Sequence, residues 1–173
     1  RLQALSAARQ RNALRYWISK QGFLLPSAAV LEQIRRAASA TAIKASPRVQ
    51  WGQAEIRCYR EQLYLQRPLS EHDASQCLCW NLEQTLSLPI LGLSLTTADL
   101  FRQGLKLPQD AQVEVRFRTG GESISVSKRA CSKDLKAVFQ EFGLPPWLRD
   151  RVPLIFYQSE LICVWNIVIS DGY

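Results

Sequence analysis

The chain has 173 residues, of which 47% are hydrophobic, and its formal net charge is +7. This length and apolar content can bury one large core or two small ones, which excludes an intrinsically disordered chain. The longest apolar run, residues 161–169, is too short to span a bilayer and contains Asn166, so it favours a buried strand over a membrane segment.

The positive charge is concentrated at the start of the chain. Residues 1–67 carry twelve Lys and Arg against three acids, a net charge of +9, whereas residues 68–112 are net −3 and residues 113–173 are net +1. The middle segment opens with turn residues and no helical periodicity, which is typical of a connection between domains. We therefore predict a basic N-terminal domain over residues 1–67, a linker over 68–78 and a C-terminal domain over 79–173.

The chain opens on Arg1 rather than on Met, and its start lacks the apolar core of a secretion signal, so we expect a fragment of a longer protein. Five cysteines without a C-x-x-C pair do not suit a closed disulfide framework and favour the reducing cytoplasm. His72, Cys77 and Cys79 lack a fourth ligand at usable spacing, so no metal site is expected.

The first predicted helix covers about residues 7–20, with Ser6 as N-cap and Gly22 beyond its end. Its apolar stripe consists of Ala7, Leu14, Trp17 and Ile18.

The same helix carries Arg9, Arg11, Arg15 and Lys20 and no acid, so no i,i+4 ion pair can neutralise these charges within it. For an arbitrary basic helix, a solvated surface is the simpler explanation of such a pattern. The choice of arginine over lysine favours phosphate contact, because the planar guanidinium donates two parallel hydrogen bonds.

A second helix is predicted from a cap at Ser27 to about Ser39, with Arg35 and Arg36 facing outward. Its inward residues are Val30, Leu31, Ile34 and Ala38. The period then changes to that of short strands, which predicts a small antiparallel meander over residues 49–51, 56–60 and 62–65.

In the C-terminal domain, strands are predicted over residues 79–86, 92–96 and 113–118, the last with Val113, Val115 and Phe117 inward. Residues 119–122, TGGE, predict a tight hairpin turn after this strand.

One clear amphipathic helix is predicted in the same domain, capped by Ser132 and stopped by Gly143. Its apolar stripe consists of Leu135, Val138, Phe139 and Phe142. Trp147, in the following Pro-Pro-Trp turn, is assigned to the core. Residues 154–157 and 161–169 predict a closing hairpin. The predicted fold class is therefore α+β: a helical pair with a small antiparallel meander, then a C-terminal α+β domain of antiparallel strands.

Two stretches carry a specific resemblance. Residues 9–18 read RQRNALRYWI, and residues 132–153 read SKDLKAVFQEFGLPPWLRDRVP. Together they resemble the C-terminal part of the tRNA(Ile)-lysidine synthetase family, and AEIRCYREQLYL over residues 54–65 is similar to an arginine- and tyrosine-rich strand of that family. A departure is Ala137, where members commonly have a second lysine after Lys136.

The resemblance implies a cytoplasmic, tRNA-modifying ligase that joins lysine to the wobble cytidine of a tRNA(Ile) with a CAU anticodon. It implies that ATP, with Mg²⁺, and lysine bind an N-terminal ATP-pyrophosphatase domain, whose SGGxDS phosphate loop is absent from this sequence. TGGES at residues 119–123 differs from that loop in spacing and in having Glu122 for aspartate. We therefore expect this fragment to hold no cofactor, no metal and no catalytic residue.

The expected partner is the tRNA, with no membrane contact, and a homodimer is left open. The expected tRNA-binding residues are basic positions in the two specific stretches and beside them: Arg9, Arg11, Arg15, Arg129, Lys133, Lys136, Arg149 and Arg151. The alternative is a protein interaction or self-association module whose basic helix is only soluble surface. Salt-sensitive binding to tRNA distinguishes the two.

Overall fold

The computed structural model describes residues 2–39, 47–108, 110–126 and 132–173. The chain divides into two compact units, Arg1–Leu69 (unit 1) and Ser70–Tyr173 (unit 2). Helices at the N-terminus are followed by antiparallel strands and further helices, so the predicted α+β class is confirmed.

Unit 1 consists of two helices and a three-stranded antiparallel sheet. Its elements are α1 (Ala7–Lys20), α2 (Ala28–Ser39), β1 (Arg48–Trp51), β2 (Ala54–Tyr59) and β3 (Gln62–Gln66), with β2 at the centre of the sheet. Gly22 takes a left-handed φ of +77° just after α1, and Ser27 Oγ accepts a hydrogen bond of 3.3 Å from the N–H of Val30 at the start of α2. The predicted helical pair and meander are confirmed.

The core of unit 1 lies between the helices and one face of the sheet. Its five most buried side chains are Leu14, Ile18, Leu31, Ile34 and Ile56. The predicted stripe of α1 is only partly right, because Ala7 is exposed and Trp17 is half-buried. Gln10 is buried instead, and its side chain is satisfied by donating to the carbonyl of Leu5 at 2.9 Å and accepting from Arg35 at 3.4 Å.

Unit 2 is built on a five-stranded antiparallel sheet. Its elements are β4 (Cys77–Trp80), β5 (Leu86–Leu88), β6 (Leu93–Leu95), α3 (Thr97–Arg102), β7 (Val113–Arg116), β8 (Ser123–Ser125), β9 (Ser132–Asp134), α4 (Leu135–Glu141), β10 (Leu154–Tyr157), β11 (Glu160–Val164) and β12 (Val168–Ile169). The main sheet has the order β12-β11-β10-β7-β4, and β5-β6 and β8-β9 form separate hairpins.

The two faces of the main sheet belong to different groups of buried side chains. Along β10, Leu154 packs with Phe139 of α4, whereas Ile155 packs with Val113 and Val115 of β7. This follows from the alternation of side chains along a strand. The inward positions predicted for residues 113–118 are confirmed.

Three predicted strands of unit 2 need correction. β4 ends at Trp80 rather than at residue 86, where Leu82 takes a left-handed φ of +64° that interrupts the strand. Gly120 and Gly121 have positive φ as expected, but β7 pairs with β4 and β10 instead of forming a hairpin with β8. The run 161–169 is two strands, because the chain turns at Asn166, whose φ is +57°.

The helix α4 is shorter than predicted at both ends. Asp134, not Ser132, is its N-cap, and the Asp134 carboxylate accepts a hydrogen bond of 2.6 Å from the N–H of Lys136. Ser132 lies in β9. Phe142 follows the last helical residue and is 58% exposed, so it is not part of the buried stripe. Gly143 adopts the expected left-handed conformation.

The assignment of Trp147 to the core is wrong. Trp147 is half-buried within a 3₁₀ helix, Pro146–Arg151, that contributes no fully buried residue. Two consecutive prolines restrict the backbone of this short surface turn. The turn is too short to place the indole ring of Trp147 in either group of buried side chains.

Candidate nucleic-acid interface

The three candidate arginines of α1 do not share one face. Residues four apart lie on the same side of a helix, so Arg11 and Arg15 are neighbours, whereas Arg9 is displaced by about 160° from Arg11 around the axis. Arg9 and Arg15 are exposed, and Arg11 is half-buried. A ligand that binds Arg11 and Arg15 together therefore meets α1 on the flank next to its buried stripe.

The charge of Arg11 is partly offset by an acid from the neighbouring helix. The carboxylate oxygens of Glu32 in α2 lie 3.9 Å from Nη1 of Arg11, 2.6 Å from Nη2 of Arg35 and 3.4 Å from Nε of Arg36. The hydrogen bond from Arg35 is the main reason that the pKa of Glu32 is lowered to about 2, and burial opposes it. Arg35 is thus held inward by Glu32 and Gln10 rather than projecting outward as predicted.

A second carboxylate of unit 1 is enclosed more completely. Glu55 of β2 is 0% exposed, and its two oxygens accept hydrogen bonds from Nε of Arg48 at 2.7 Å, Nε of Arg57 at 2.7 Å and Nε2 of Gln66 at 2.9 Å. Burial alone would raise the pKa of Glu55, but the donors from Arg57, Arg48 and Gln66 outweigh it and the pKa is lowered. Glu55 is therefore an anion in the folded protein at neutral pH.

Glu55 lies on the sheet face that is turned away from the helices. The register places Arg48, Arg57 and Tyr64 in one row across the three strands, and Gln50, Glu55 and Gln66 in the next row. We call this set of six residues the polar sheet face. The alternate residues Val49, Ile56 and Leu65 pack on the opposite side with the helices.

Two candidate lysines lie close to the start of α4, one in its first turn and one in the preceding strand. Lys136 is exposed in the first turn, and Lys133 of β9 forms an ion pair with Glu141 at the other end of the helix. Lys133 is thus partly neutralised, whereas no described carboxylate forms an ion pair with Lys136.

Arg149 and Arg151 hold the backbone of unit 2 as well as carrying charge. Nε of Arg149 donates to the carbonyl of Leu144 at 3.0 Å, and Arg151 donates to the carbonyl of Ser70. Both side chains are half-buried. The remaining candidate, Arg129, lies outside the described residues.

In the TGGE segment, the backbone N–H groups donate hydrogen bonds to a carboxylate of the same segment. The carboxylate of Glu122 accepts hydrogen bonds from the N–H groups of Thr119 at 2.6 Å and Gly120 at 2.8 Å. These are the backbone donors that a phosphate would need. Burial opposes the lowered pKa of Glu122, and the donors of Gly120 and Thr119 cause it.

Comparison with known proteins gives the family of the chain. The family profile described as the TilS substrate binding domain matches residues 1–64, and the one described as the TilS substrate C-terminal domain matches residues 113–173. Together these ranges take in more than half of the chain. The chain belongs to the TilS family.

Relatives in that family match almost the whole chain. Proteins named tRNA(Ile)-lysidine synthase are 39% identical over 173 residues in Coxiella burnetii, 34% over 171 in Legionella pneumophila strain Lens and 36% over 172 in Serratia proteamaculans. The alignments cover 98–99% of this chain but 38–39% of each relative. The chain thus spans about two fifths of the length of these relatives.

Within the described ranges, no helix has the length and apolar character that crossing a bilayer requires. The same ranges contain no group of three His, Cys, Asp or Glu side chains arranged to hold a metal ion.

In this TilS-family chain, reasoning from the sequence missed Gln10, Arg48, Glu55 and Arg57. Gln10 and Glu55 are polar residues whose buried side chains have partners on other elements, Arg35 of α2 for Gln10 and Arg48 of β1 for Glu55. A signal for the polar sheet face was present, because polar residues occupy every second position of RVQW and of EIRCY.

Proposed function

We propose that this chain is the tRNA-holding part of a tRNA(Ile)-lysidine synthase. The observation that carries the proposal is the match of the two TilS substrate-domain profiles to residues 1–64 and 113–173. The tRNA bound is a tRNA(Ile) with a CAU anticodon, and the chain places its wobble cytidine for reaction. The protein acts in the cytoplasm.

The chemistry of unit 1 supports this role. Residues 1–67 contain three acids, and two of them, Glu32 and Glu55, are enclosed by arginines. This range has a net charge of +9, and few of its carboxylates are exposed where they could repel an anionic ligand. A-form RNA is held through phosphates, 2′-hydroxyls and shape, which basic helices and strands can supply without a catalytic group.

In this proposal, a separate ATP-pyrophosphatase domain carries out catalysis. ATP, Mg²⁺ and lysine bind an ATP-pyrophosphatase domain with an SGGxDS loop, a motif that this sequence lacks. The one glycine pair that resembles such a loop has the N–H groups of Thr119 and Gly120 occupied by Glu122. The 173-residue chain holds and orients the tRNA, and its partner domain activates the cytidine.

The test uses the 173-residue chain, ATP, lysine and a transcript of tRNA(Ile) with the CAU anticodon. Gel-shift titration is expected to show a complex, and mass spectrometry of the digested tRNA is expected to show no lysidine. Lysidine formed by the purified chain would contradict the division of labour. Failure to shift the tRNA, with sedimentation showing a concentration-dependent oligomer, would favour a self-association module instead.

A further inference from the structure

The polar sheet face of unit 1 is an ordered array rather than a set of independent surface side chains. Arg48 and Arg57 lie directly opposite each other on β1 and β2, an arrangement in which like charges repel. Glu55 offsets this repulsion, because each of its oxygens accepts one guanidinium Nε at 2.7 Å. One carboxylate thus fixes two arginines side by side.

Stability alone does not require this arrangement. Well-packed apolar residues can often replace a buried ion pair with no loss of stability, or with a gain. Here Val49, Ile56 and Leu65 already provide the apolar packing on the opposite side of the same strands. What the carboxylate adds is a defined position for two guanidinium groups.

The donors that remain indicate the kind of ligand. A guanidinium has five N–H donors, and Arg48 uses its Nε toward Glu55, so its two Nη groups lie outside that contact. The Arg48 side chain is 49% exposed, and Gln50 beside it is exposed as well. The two arginines and one glutamate of the array carry a net charge of +1 within a unit that is itself strongly basic. A planar fork of donors in a positive field suits a phosphate oxyanion.

We propose that the polar sheet face is a second tRNA-contact surface of unit 1, which binds phosphodiester groups through Arg48 and Gln50. Glu55 is its positioning residue. The inference rests on the proposed function, because it requires that the chain binds tRNA. It adds a surface on the sheet to the candidate surface on α1.

The first experiment compares Arg48→Gln with Arg102→Gln by titration of labelled tRNA. Each variant removes one guanidinium that pairs with a carboxylate, since Arg102 lies 2.8 Å from Asp99 in a segment outside both family profiles. Arg48→Gln is expected to weaken binding roughly three- to tenfold and to make the salt slope shallower by about one, whereas Arg102→Gln leaves both unchanged. Arg48→Lys, which keeps the charge, should also weaken binding.

The second experiment tests positioning separately from charge. Glu55→Gln raises the net charge by one, so a purely electrostatic role predicts tighter binding to RNA. Positioning predicts weaker binding, because the neutral amide no longer holds both guanidinium groups. Thermal melting of each variant shows which proteins are folded, and Arg48→Lys decides the question if Glu55→Gln does not fold.

The outcomes separate this inference from the proposed function. If the parent chain binds tRNA and both Arg48 variants bind as tightly as the parent, the sheet surface is overturned while tRNA binding stands. If the parent does not bind tRNA at all, both proposals fail. A change of oligomeric state in Arg48→Gln, with tRNA affinity unchanged, would assign the face to a contact between copies of the chain.

Discussion

Nε of Arg48 donates a hydrogen bond of 2.7 Å to the fully buried carboxylate of Glu55, which joins β1 to β2 on the side of the sheet opposite the core. The contact connects the stability of unit 1 to its charge. Removing the acid leaves two opposed arginines with no anion between them.

Glu55→Gln should therefore destabilise the protein at pH 7. We expect a loss of about 2–4 kcal/mol, near the lower part of the range for breaking a buried ion pair, because Arg48 is half exposed. Glu61→Gln, at the exposed turn between β2 and β3, should change the free energy of unfolding by less than about 0.5 kcal/mol. Urea unfolding of both variants measures the difference, and equal losses would contradict the account.

Acid should weaken unit 1 through its enclosed glutamates. The pKa of Glu32 falls from 4.5 to about 2 in the folded protein, chiefly through its hydrogen bond with Arg35. A lowered folded-state pKa contributes stability that is full above the unfolded pKa and is lost as the pH falls through the folded one. Stability should therefore decline between about pH 4.5 and pH 2, and Glu32→Gln should decline less over that window. Parallel declines in the two proteins, measured by melting temperature against pH, would show that Glu32 has no part in it.

Phe139 and Trp147 should differ as sites of truncation. Phe139 is 0% exposed and packs with Leu154, so Phe139→Ala should cost about 3–5 kcal/mol. Trp147 is half-buried in a surface turn, so Trp147→Ala should cost only about 1–2 kcal/mol. Chemical denaturation gives both values, and a larger loss for Trp147 would restore it to the core.

What could be predicted from the sequence was local. The sequences of α1 and α2 show helical periodicity of apolar residues with capping residues beside it, and the sequence of β7 shows strict alternation. Each of these elements can therefore be predicted from its own short segment of sequence. Strand pairing is not local: β7 lies between β4 and β10, and the nearer β8 pairs elsewhere.

Burial at the ends of elements was equally hard to predict. Phe142 continues the apolar spacing of α4 but falls one residue past its end, and so it becomes exposed. Gln10 and Glu55 are buried with arginines of other elements among their hydrogen-bond partners, Arg35 of α2 for Gln10 and Arg48 of β1 for Glu55, and no single segment of the sequence reveals these pairings.

Lys136 should affect binding without affecting folding. Its side chain is exposed at the start of α4, so Lys136→Glu should leave the melting temperature nearly unchanged and weaken tRNA binding. Lys106→Glu makes the same change of charge at an exposed position in the acidic segment, outside both family profiles, and serves as the control. Arg149→Glu is a poorer test, because Arg149 also donates to the carbonyl of Leu144. Equal tRNA affinities of the Lys136 and Lys106 variants would show that this surface of α4 is exposed to solvent and does not contact tRNA.

Arg11 and Arg15 should act together on tRNA, since they lie four residues apart on one flank of α1. The double change to Gln should weaken binding of all tRNAs similarly, because phosphate contacts carry no sequence information. The pair Arg102→Gln with Lys106→Gln lowers the net charge by the same amount in unit 2 and should have little effect. Filter binding measures the affinity of both double variants. An equal loss of affinity in the two would show that only the overall charge of the protein matters.

The salt dependence of tRNA affinity tests the central claim most directly. For the unmodified chain, log K should fall linearly with log salt concentration, by roughly 0.7 to 0.9 for each phosphate contact. With Arg11, Arg15, Arg48 and Lys136 all in contact, the slope should be about −2.8 to −3.6. A slope near zero between low and moderate salt, or no measurable binding at low salt, would contradict the claim that these basic surfaces hold tRNA.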